Sequence, residues 1–285
     1  MNYSRRDFLA ITSALSIFGQ LGVIAKAKNP KFMIGACDWS IDGACKLSVF
    51  ETAKAIGLDG IQLSYNSATD ENFLSRPEIQ TQYLAASKST GVKIASIGIA
   101  RLNDVPYKSE DRSDQWVNMA IDAAKALGVS TVLLAFFAKN DLRNDPTGKK
   151  VVIEKLKKVA PKAEKLGINL AIESYLSAEE HLEIIEAVGS KAITVYYDFR
   201  NAADAGYDIY KEIPMLKGYI SEIHIKENGV LLGQGTLDWP KIGKALEQIN
   251  YQGWMQIEWA MPQNAPIVAS YQHNLAFLRP LFPKN

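Results

Sequence analysis

The chain has 285 residues, and its 32 Lys and Arg residues nearly balance its 31 Asp and Glu residues, so the formal net charge is +1. A protein that binds the nucleic-acid backbone needs a basic excess or a basic stripe, so this balance argues against a nucleic-acid partner. With only two Cys and three His residues, the sequence excludes a disulfide-rich scaffold and a four-Cys zinc site. It also limits any site that needs several imidazoles.

The first 27 residues differ in character from the rest of the chain. The pair Arg5-Arg6 precedes a stretch from Phe8 to Ile24 that carries no charge, and Ala25-Lys26-Ala27 follows as a small-x-small site. A positive start, an apolar stretch and a small-residue site predict an export signal. The arginine pair with Phe8-Leu9 behind it resembles the twin-arginine type of signal.

We therefore expect residues 1–27 to be a twin-arginine signal and residues 28–285 to be one domain that works in the periplasm. The twin-arginine export machinery would then be a partner, and an uncleaved signal would act as a membrane anchor. The signal holds three of the basic residues and one acidic residue, so its removal turns the net charge from +1 to −1. Because such substrates are exported already folded, we expect Cys37 and Cys45 to stay free thiols.

Eight short apolar runs alternate with longer helical patterns after residue 28. The predicted strands are Phe32–Trp39, Gly60–Tyr65, Lys93–Ala100, Thr131–Phe137, Asn169–Ser174, Ile193–Asp198, Ile220–Ile225 and Trp254–Trp259. The predicted helices cover 47–57, 77–90, 112–127, 148–166, 178–188, 207–218, 239–249 and 267–279. Several helices end in a glycine, such as Gly128 and Gly167, which is typical of a helix that turns back to a strand.

This alternation predicts an α/β protein with a single (β/α)8 TIM barrel. The strands are apolar along their whole length, as parallel strands covered on both faces are. Eight strand–helix units in about 250 residues match the size of that barrel, and no linker divides the chain. The alternative is an open doubly wound sheet, but the first turn, Cys37 to Gly43, lacks a glycine-rich dinucleotide fingerprint.

Four consecutive strands each carry, at or next to their C-terminal end, a residue that can bind a metal ion. These residues are Glu173, Asp198, His224 and Glu258. Catalytic groups of such barrels lie at the C-terminal ends of the strands, which converge because the strands are neighbours. Oxygen ligands with one imidazole favour one Mn²⁺ or Mg²⁺ ion, with Co²⁺ or Zn²⁺ as alternatives.

Each of these residues also has a structural interpretation. A carboxylate at a strand end often caps a helix or pairs with a cation, and His224 between two isoleucines could be a core histidine. However, Glu173 and Glu258 each follow an apolar run, where a charge is costly unless it is paired or bound to a metal ion. The coincidence of four on successive strands favours a site.

The sequence resembles the xylose isomerase-like family of sugar isomerases and epimerases over residues 31–282. The resemblance rests on the segments 222–227, 233–242 and 253–258, which read EIHIKE, GQGTLDWPKI and GWMQIE. It implies that Glu173, Asp198, His224 and Glu258 hold a divalent metal ion, and that Glu173 and Glu258 carry protons during catalysis. Two positions depart from the family pattern: Gln62 stands where Glu is common, and Asn201 stands where many epimerases have a His that touches substrate.

Four side chains near the strand ends are the predicted substrate contacts. They are Asn201, Lys226, Arg200 and Trp39. Arg200 could instead pair with Asp204. Phe136 and Phe137 could add to an apolar wall beside Trp39, with packing in the barrel core or rim as the alternative. His181, in a helix start, is expected at the surface.

The implied reaction is proton transfer next to the carbonyl of an unphosphorylated keto-sugar or related polyol, through a cis-enediolate. Return of the proton gives epimerisation or isomerisation, whereas loss of a β-hydroxyl makes the protein a dehydratase (lyase) of a keto-sugar or keto-inositol. A non-catalytic sugar-binding barrel is a remote alternative. A DNA-repair endonuclease, a class that shares the barrel, would need a His-rich trinuclear zinc site, which three His residues disfavour. A homodimer is a further expectation.

Overall fold

The computed structural model of the protein describes residues 31–284, so the predicted export signal lies outside the described residues. Eight parallel strands close into a barrel in chain order, and the last strand pairs with the first. The strands are β1 (Phe32–Cys37), β2 (Gly60–Ser64), β3 (Lys93–Ile99), β4 (Thr131–Phe136), β5 (Asn169–Ser174), β6 (Ile193–Asp198), β7 (Ile220–Ile225) and β8 (Gly253–Ile257). The predicted TIM barrel is confirmed.

Helices surround the barrel and cover the apolar outer faces of its strands. They are α1 (Val49–Ile56), α2 (Pro77–Thr90), α3 (Asp111–Leu127), α4 (Pro146–Leu166), α5 (Ala178–Val188), α6 (Phe199–Asp204), α7 (Ile209–Met215), α8 (Trp239–Gln248) and α9 (Ile267–Leu278). The short helix α6 was not predicted. It forms because Asp198 caps it directly at the end of β6 by accepting hydrogen bonds from two backbone N–H groups. None of the helices between residues 31 and 284 is long and apolar enough to cross a membrane.

Five predicted strands extended too far toward the C-terminal rim of the barrel, those for β2 and β3 by one residue each and those for β1, β4 and β8 as far as an aromatic residue. Trp39, Phe137 and Trp259 lie beyond the ends of β1, β4 and β8, in the loops that follow. Hydrophobicity alone cannot distinguish the last residue of a buried strand from an aromatic residue in the loop after it. The difference matters because this rim is the face on which TIM barrels carry their functional residues.

Local signals in the sequence determine how the helices begin and end. Helix α5 begins with a capping box, in which Ser177 and Glu180 each bond the other's backbone N–H. Gly128 and Gly167 end α3 and α4 with φ of 71° each, a left-handed conformation that residues with a Cβ atom rarely adopt. These glycine caps, expected from the sequence, let each helix turn directly back into the next strand.

The prediction that His181 lies at the surface is wrong. Its side chain is 3% exposed and contacts the Ser174 hydroxyl at 3.0 Å and the Ser177 carbonyl at 2.8 Å. Burial lowers the pKa of His181 to about 4, so the ring is neutral at physiological pH. The first turn of α5 packs against the end of β5, and a helix-start motif does not show which side faces inward.

The barrel interior contains a polar layer below the C-terminal rim. Glu222 on β7 is 2% exposed, and its carboxylate accepts hydrogen bonds from the Ser96 hydroxyl at 2.8 Å and the Tyr196 hydroxyl at 3.0 Å. Burial raises the pKa of Glu222 to about 7, because hydroxyl donors only partly replace the lost water. The folded protein therefore binds this proton more tightly than the unfolded chain does.

We expect Glu222 to make the protein less stable as pH rises from 5 to 8. A raised carboxyl pKa adds stability that is complete at low pH and is lost as pH rises through the folded-state value, here roughly 3 kcal/mol in total. Glu222→Gln keeps the volume of the side chain but cannot titrate, so its thermal unfolding midpoint should fall less over this range. Burial also raises the pKa of Asp38 to about 7. Both proteins contain Asp38, so its contribution to the pH dependence of stability is the same in both. Parallel pH profiles for the two proteins would contradict the assignment.

Candidate metal centre and active site

The structure brings the four predicted ligands together at the C-terminal rim. Glu173 lies on β5, Asp198 ends β6, His224 lies on β7, and Glu258 directly follows β8. One potential ligand atom from each residue lies within 4.8 Å of those of the other three, and all four residues are buried. The pairing of Asp198 with His224 across β6 and β7 holds two of them at the same level of the barrel.

The donor atoms of this cluster fit a divalent cation. The two carboxylate oxygens of Asp198 have different surroundings. Oδ1 caps the start of α6 by accepting hydrogen bonds from the N–H groups of Arg200 and Asn201, at 2.8 and 2.9 Å. The other oxygen, Oδ2, is buried and accepts no hydrogen bond, although it lies 2.9 Å from Lys226 Nζ. An ionised carboxylate oxygen has two acceptor sites, so Oδ2 can still bind a metal ion beside the ammonium. Three carboxylates and an imidazole are a ligand set suited to Mn²⁺ or Mg²⁺.

Two cationic side chains balance the three carboxylates within the protein. His224 Nδ1 lies 2.9 Å from Glu173 Oε1 and 3.8 Å from Glu258 Oε2. Lys226, which directly follows β7, places Nζ 2.8 Å from Glu258 Oε2 as well as beside Asp198. Lys226 is therefore part of the buried charge cluster.

The cluster shifts the pKa values of its members in opposite directions. Burial raises the pKa of Glu173. Burial acts the same way on Glu258, but the charges of Lys226 and His224 outweigh it and lower the pKa of Glu258 to about 2. Burial disfavours a charged imidazole, yet Glu173 and Glu258 raise the pKa of His224 to about 9. The site thus holds two carboxyl groups with different proton affinities, as acid–base chemistry requires.

Two residues of the barrel interior contact Nε2, the second ring nitrogen of His224. Its Nε2 lies 2.7 Å from Gln62 Oε1, and the Cys37 thiol donates to the same oxygen at 3.2 Å. An amide oxygen only accepts, so Nε2 must carry a proton, which directs Nδ1 toward the carboxylates. Hydrogen bonds of this kind orient the histidine ligands of metal sites. The sequence marked Gln62 only as a departure from the family pattern, and nothing in it indicated the contact of Cys37.

A cavity of about 330 Å³ opens over the cluster. Of the four candidate ligands, Glu173 and Glu258 line it, whereas Asp198 and His224 do not. Trp39 donates its indole N–H to Glu258 Oε1 at 2.8 Å, and Asn201 donates its amide to Glu173 Oε1 at 3.3 Å. Each cavity-facing carboxylate is therefore oriented by a neighbouring side chain.

The predicted substrate contacts separate into two groups. Trp39, Asn201 and Lys226 line the cavity, but Arg200 does not. Arg200 pairs with Asp204 one turn later on α6 and donates to the Thr236 hydroxyl at 2.9 Å. This ion pair was the structural interpretation open to Arg200 in the sequence.

Sequence reasoning missed several residues of the cavity wall. They are Ala100, Asn103, Leu133, Ala135, Tyr175 and Trp259. Four of them lie on β4 or in the segment that follows β3. These two strands end at Ile99 and Phe136, so neither strand end offers a charged residue as a signal. Of the two residues expected in the apolar wall, Phe137 lines the cavity, but the prediction for Phe136 is wrong because its side chain is buried in the core.

The loop Gly233-Gln234-Gly235 has a structural role in the observed fold. A Cβ atom at Gly235 would lie 1.8 Å from the Glu227 carboxylate, so any larger residue would displace that carboxylate. Glu227 in turn accepts the Trp239 indole N–H at 3.0 Å and the Thr236 N–H at 3.3 Å. These bonds fasten the loop after β7 to the start of α8.

Three comparisons with known proteins agree with this architecture. An Escherichia coli K12 protein that is provisionally named L-ribulose-5-phosphate 3-epimerase is 28% identical over 247 residues, covering 77% of this chain and 86% of that protein. The structure of 3-keto-D-glucoside 4-epimerase from E. coli matches with a TM-score of 0.72 at 18% identity, covering 88% of this chain and 100% of that one. D-psicose 3-epimerase, solved in the presence of D-fructose, matches with a TM-score of 0.73 at 17% identity over 88% and 99%.

At these identities, the two structural matches support the fold alone. The sequence pattern of one protein family, the xylose isomerase-like TIM barrels, matches residues 50–281 of this chain. That range spans most of the chain and contains all four residues of the cluster, so the chain belongs to the xylose isomerase-like TIM barrel family.

Proposed function

We propose that this protein is a divalent-metal-dependent sugar isomerase or epimerase that acts on an unphosphorylated keto-sugar or related polyol. The observation that carries the proposal is that Glu173 and Glu258 each belong to two features of the site. Both belong to the four-ligand cluster, and both line the cavity above it. The names of the relatives, which are sugar epimerases, support the same class of reaction.

The chain's own residues divide the work of the reaction. Glu173, Asp198, His224 and Glu258 would hold a divalent ion, and such an ion would polarise the substrate carbonyl and acidify the adjacent C–H. One of Glu173 and Glu258 would take a proton from that carbon, and a proton would be returned either to the same carbon, which gives an epimer, or to the neighbouring carbon, which gives an isomer. Trp39 and Asn201 keep these two carboxylates oriented, and Lys226 offers its ammonium to a substrate oxygen at the base of the cavity.

The charges in the cavity wall favour an unphosphorylated substrate. Among the described residues that line the cavity, Lys226 is the one cation, and its ammonium already faces Asp198 and Glu258. A phosphate group needs positive charge or free backbone N–H groups. The substrate named for the E. coli relative is a phosphate ester, so we propose that this chain differs in that respect.

We also propose that the protein works in the periplasm after twin-arginine export, which would hold it apart from cytoplasmic phosphosugars. This rests on the Arg5-Arg6 pair and the apolar stretch behind it, both outside the described residues. Cell fractionation of the full chain and of an Arg5→Lys, Arg6→Lys variant tests the point, since the variant should stay in the cytoplasm.

A substrate screen in heavy water tests the proposed reaction. The protein is incubated with Mn²⁺, Mg²⁺, Co²⁺ or Zn²⁺ and a panel of unphosphorylated ketoses and 3-keto-sugars, and deuterium beside the carbonyl is followed by NMR. We expect ion-dependent deuterium exchange with formation of an epimer or isomer. An enone absorbing in the ultraviolet would instead identify the dehydratase. Phosphorylated ketoses as the preferred substrates, or a protein that binds no divalent ion and stays silent with the whole panel, would overturn the proposal.

A further inference from the structure

Trp259 is a large aromatic side chain exposed at the mouth of the cavity. It directly follows Glu258, lines the cavity, and is 53% exposed. Trp39, by contrast, lies deeper and is fixed by its hydrogen bond to Glu258. A tryptophan that is more than half exposed gains little from burial, so packing within the chain does not explain it.

The backbone at Trp259 is strained. Its φ is +49°, in the left-handed region, which costs a residue with a Cβ atom about 1–2 kcal/mol. The conformation belongs to a tight turn in which the Met261 N–H donates to the Trp259 carbonyl at 2.9 Å. Glycine or asparagine would form this turn more easily. Strain of this kind clusters at functional sites, where it positions a side chain.

A second aromatic surface lies on the opposite wall of the mouth. In a closed ring of eight strands, β4 is diametrically opposite β8. Phe137 follows β4 and Tyr175 follows β5, and their rings pack edge to face with centroids 4.8 Å apart. The Arg143 guanidinium lies 4.5 Å from the Tyr175 ring centroid and is paired with Asp141, so its charge is already balanced. The outer part of the cavity is thus aromatic on both sides and offers no unpaired cation among its described lining residues.

We propose that Trp259 forms a second subsite, which stacks on a neutral sugar ring joined to the keto-sugar that reacts above Glu173 and Glu258. The preferred substrate is then a glycoside rather than a free monosaccharide. The apolar C–H face of a pyranose matches an aromatic ring, while its hydroxyl groups remain in water at the open mouth. This inference rests on the proposed function, because it assumes that the inner ring lies over the metal cluster.

The subsite is tested by calorimetric measurement of the affinity of the Mn²⁺-loaded protein for a ketose with and without a second sugar ring. D-fructose serves as the single-ring ligand, and maltulose, isomaltulose and lactulose carry a second hexose on the same ketose. We expect at least one disaccharide to bind roughly three- to tenfold more tightly than D-fructose, as one aromatic stacking contact allows. Trp259→Asn, which suits the left-handed turn, should bring that ratio of affinities to about one, and Trp259→Phe should keep part of it.

The outcomes separate the subsite from the proposed function. Bound Mn²⁺ is measured on each sample, since both substitutions leave the four ligands in place. An unchanged disaccharide-to-fructose ratio in Trp259→Asn, or no disaccharide that binds more tightly than D-fructose to the wild-type protein, overturns the subsite. Failure of the proposed function shows differently, as an absence of ion-dependent exchange with every ketose in heavy water.

Discussion

Replacing Glu258 with glutamine is expected to lower the turnover of the preferred ketose by roughly 10²–10⁴-fold, the usual worth of general acid–base catalysis. Glu258 combines the lowered pKa of an ionised carboxylate with direct access to the cavity. Glutamine keeps the shape and can still accept the Trp39 hydrogen bond, but it cannot take up a proton. Glu173→Gln should cause a loss of the same order, because proton return then fails. Steady-state rates and deuterium exchange measure both.

A matched control for these substitutions is Glu212→Gln. Glu212 is also a buried glutamate, but it accepts hydrogen bonds from the Ala178 N–H and the Tyr197 hydroxyl, away from the cavity. We expect this variant to stay within a few-fold of wild-type turnover, since an amide can satisfy both partners. Wild-type rates in Glu173→Gln and Glu258→Gln would rule out carboxylate-mediated proton transfer. Equal losses in all three variants would point to a general loss of folding.

Addition of Mn²⁺ to the chelator-treated protein should raise its thermal unfolding midpoint, and Asp198→Asn should abolish most of that rise. At an ion concentration about 100-fold above Kd, binding to the folded state adds about 2.7 kcal/mol, which corresponds to roughly 5–10 °C for a chain of this size. Asparagine at position 198 can keep the helix cap through Oδ1, where Arg200 and Asn201 donate. It replaces only Oδ2, the oxygen without a hydrogen bond.

The same titration should depend on pH with a defined sign. An ion at His224 Nδ1 displaces the proton that Glu173 and Glu258 hold there, and the pKa of His224 is about 9. Because that proton competes with the ion, apparent Mn²⁺ affinity should rise as pH increases from 6 to 8, by about tenfold per unit if one proton is released. Affinity that is independent of pH, or an unchanged Mn²⁺-dependent midpoint in Asp198→Asn, would refute an ion at this cluster. The Glu212→Gln variant should respond to Mn²⁺ as the wild type does.

Much of this molecule follows from local features of the sequence. The alternation of apolar runs with glycine-capped helices predicted the barrel, because such strands need helices on their outer side and such helices must turn back at once. The positions of Glu173, Asp198, His224 and Glu258 also followed, since parallel strands of one barrel end at one rim. Topology alone converts four strand ends into one cluster.

Other features depend on contacts between residues far apart in the chain, and only the tertiary structure decided them. The bond between Gln62 and His224 joins residues 162 positions apart, so no local pattern indicates it. Arg200 could have faced the cavity or Asp204, and the short helix α6 turns it to Asp204. The burial of His181 and the exposure of Trp259 depend on how α5 packs and where β8 ends. Sequence determines which groups reach the rim of the barrel, whereas packing and backbone turns decide which of them face the substrate.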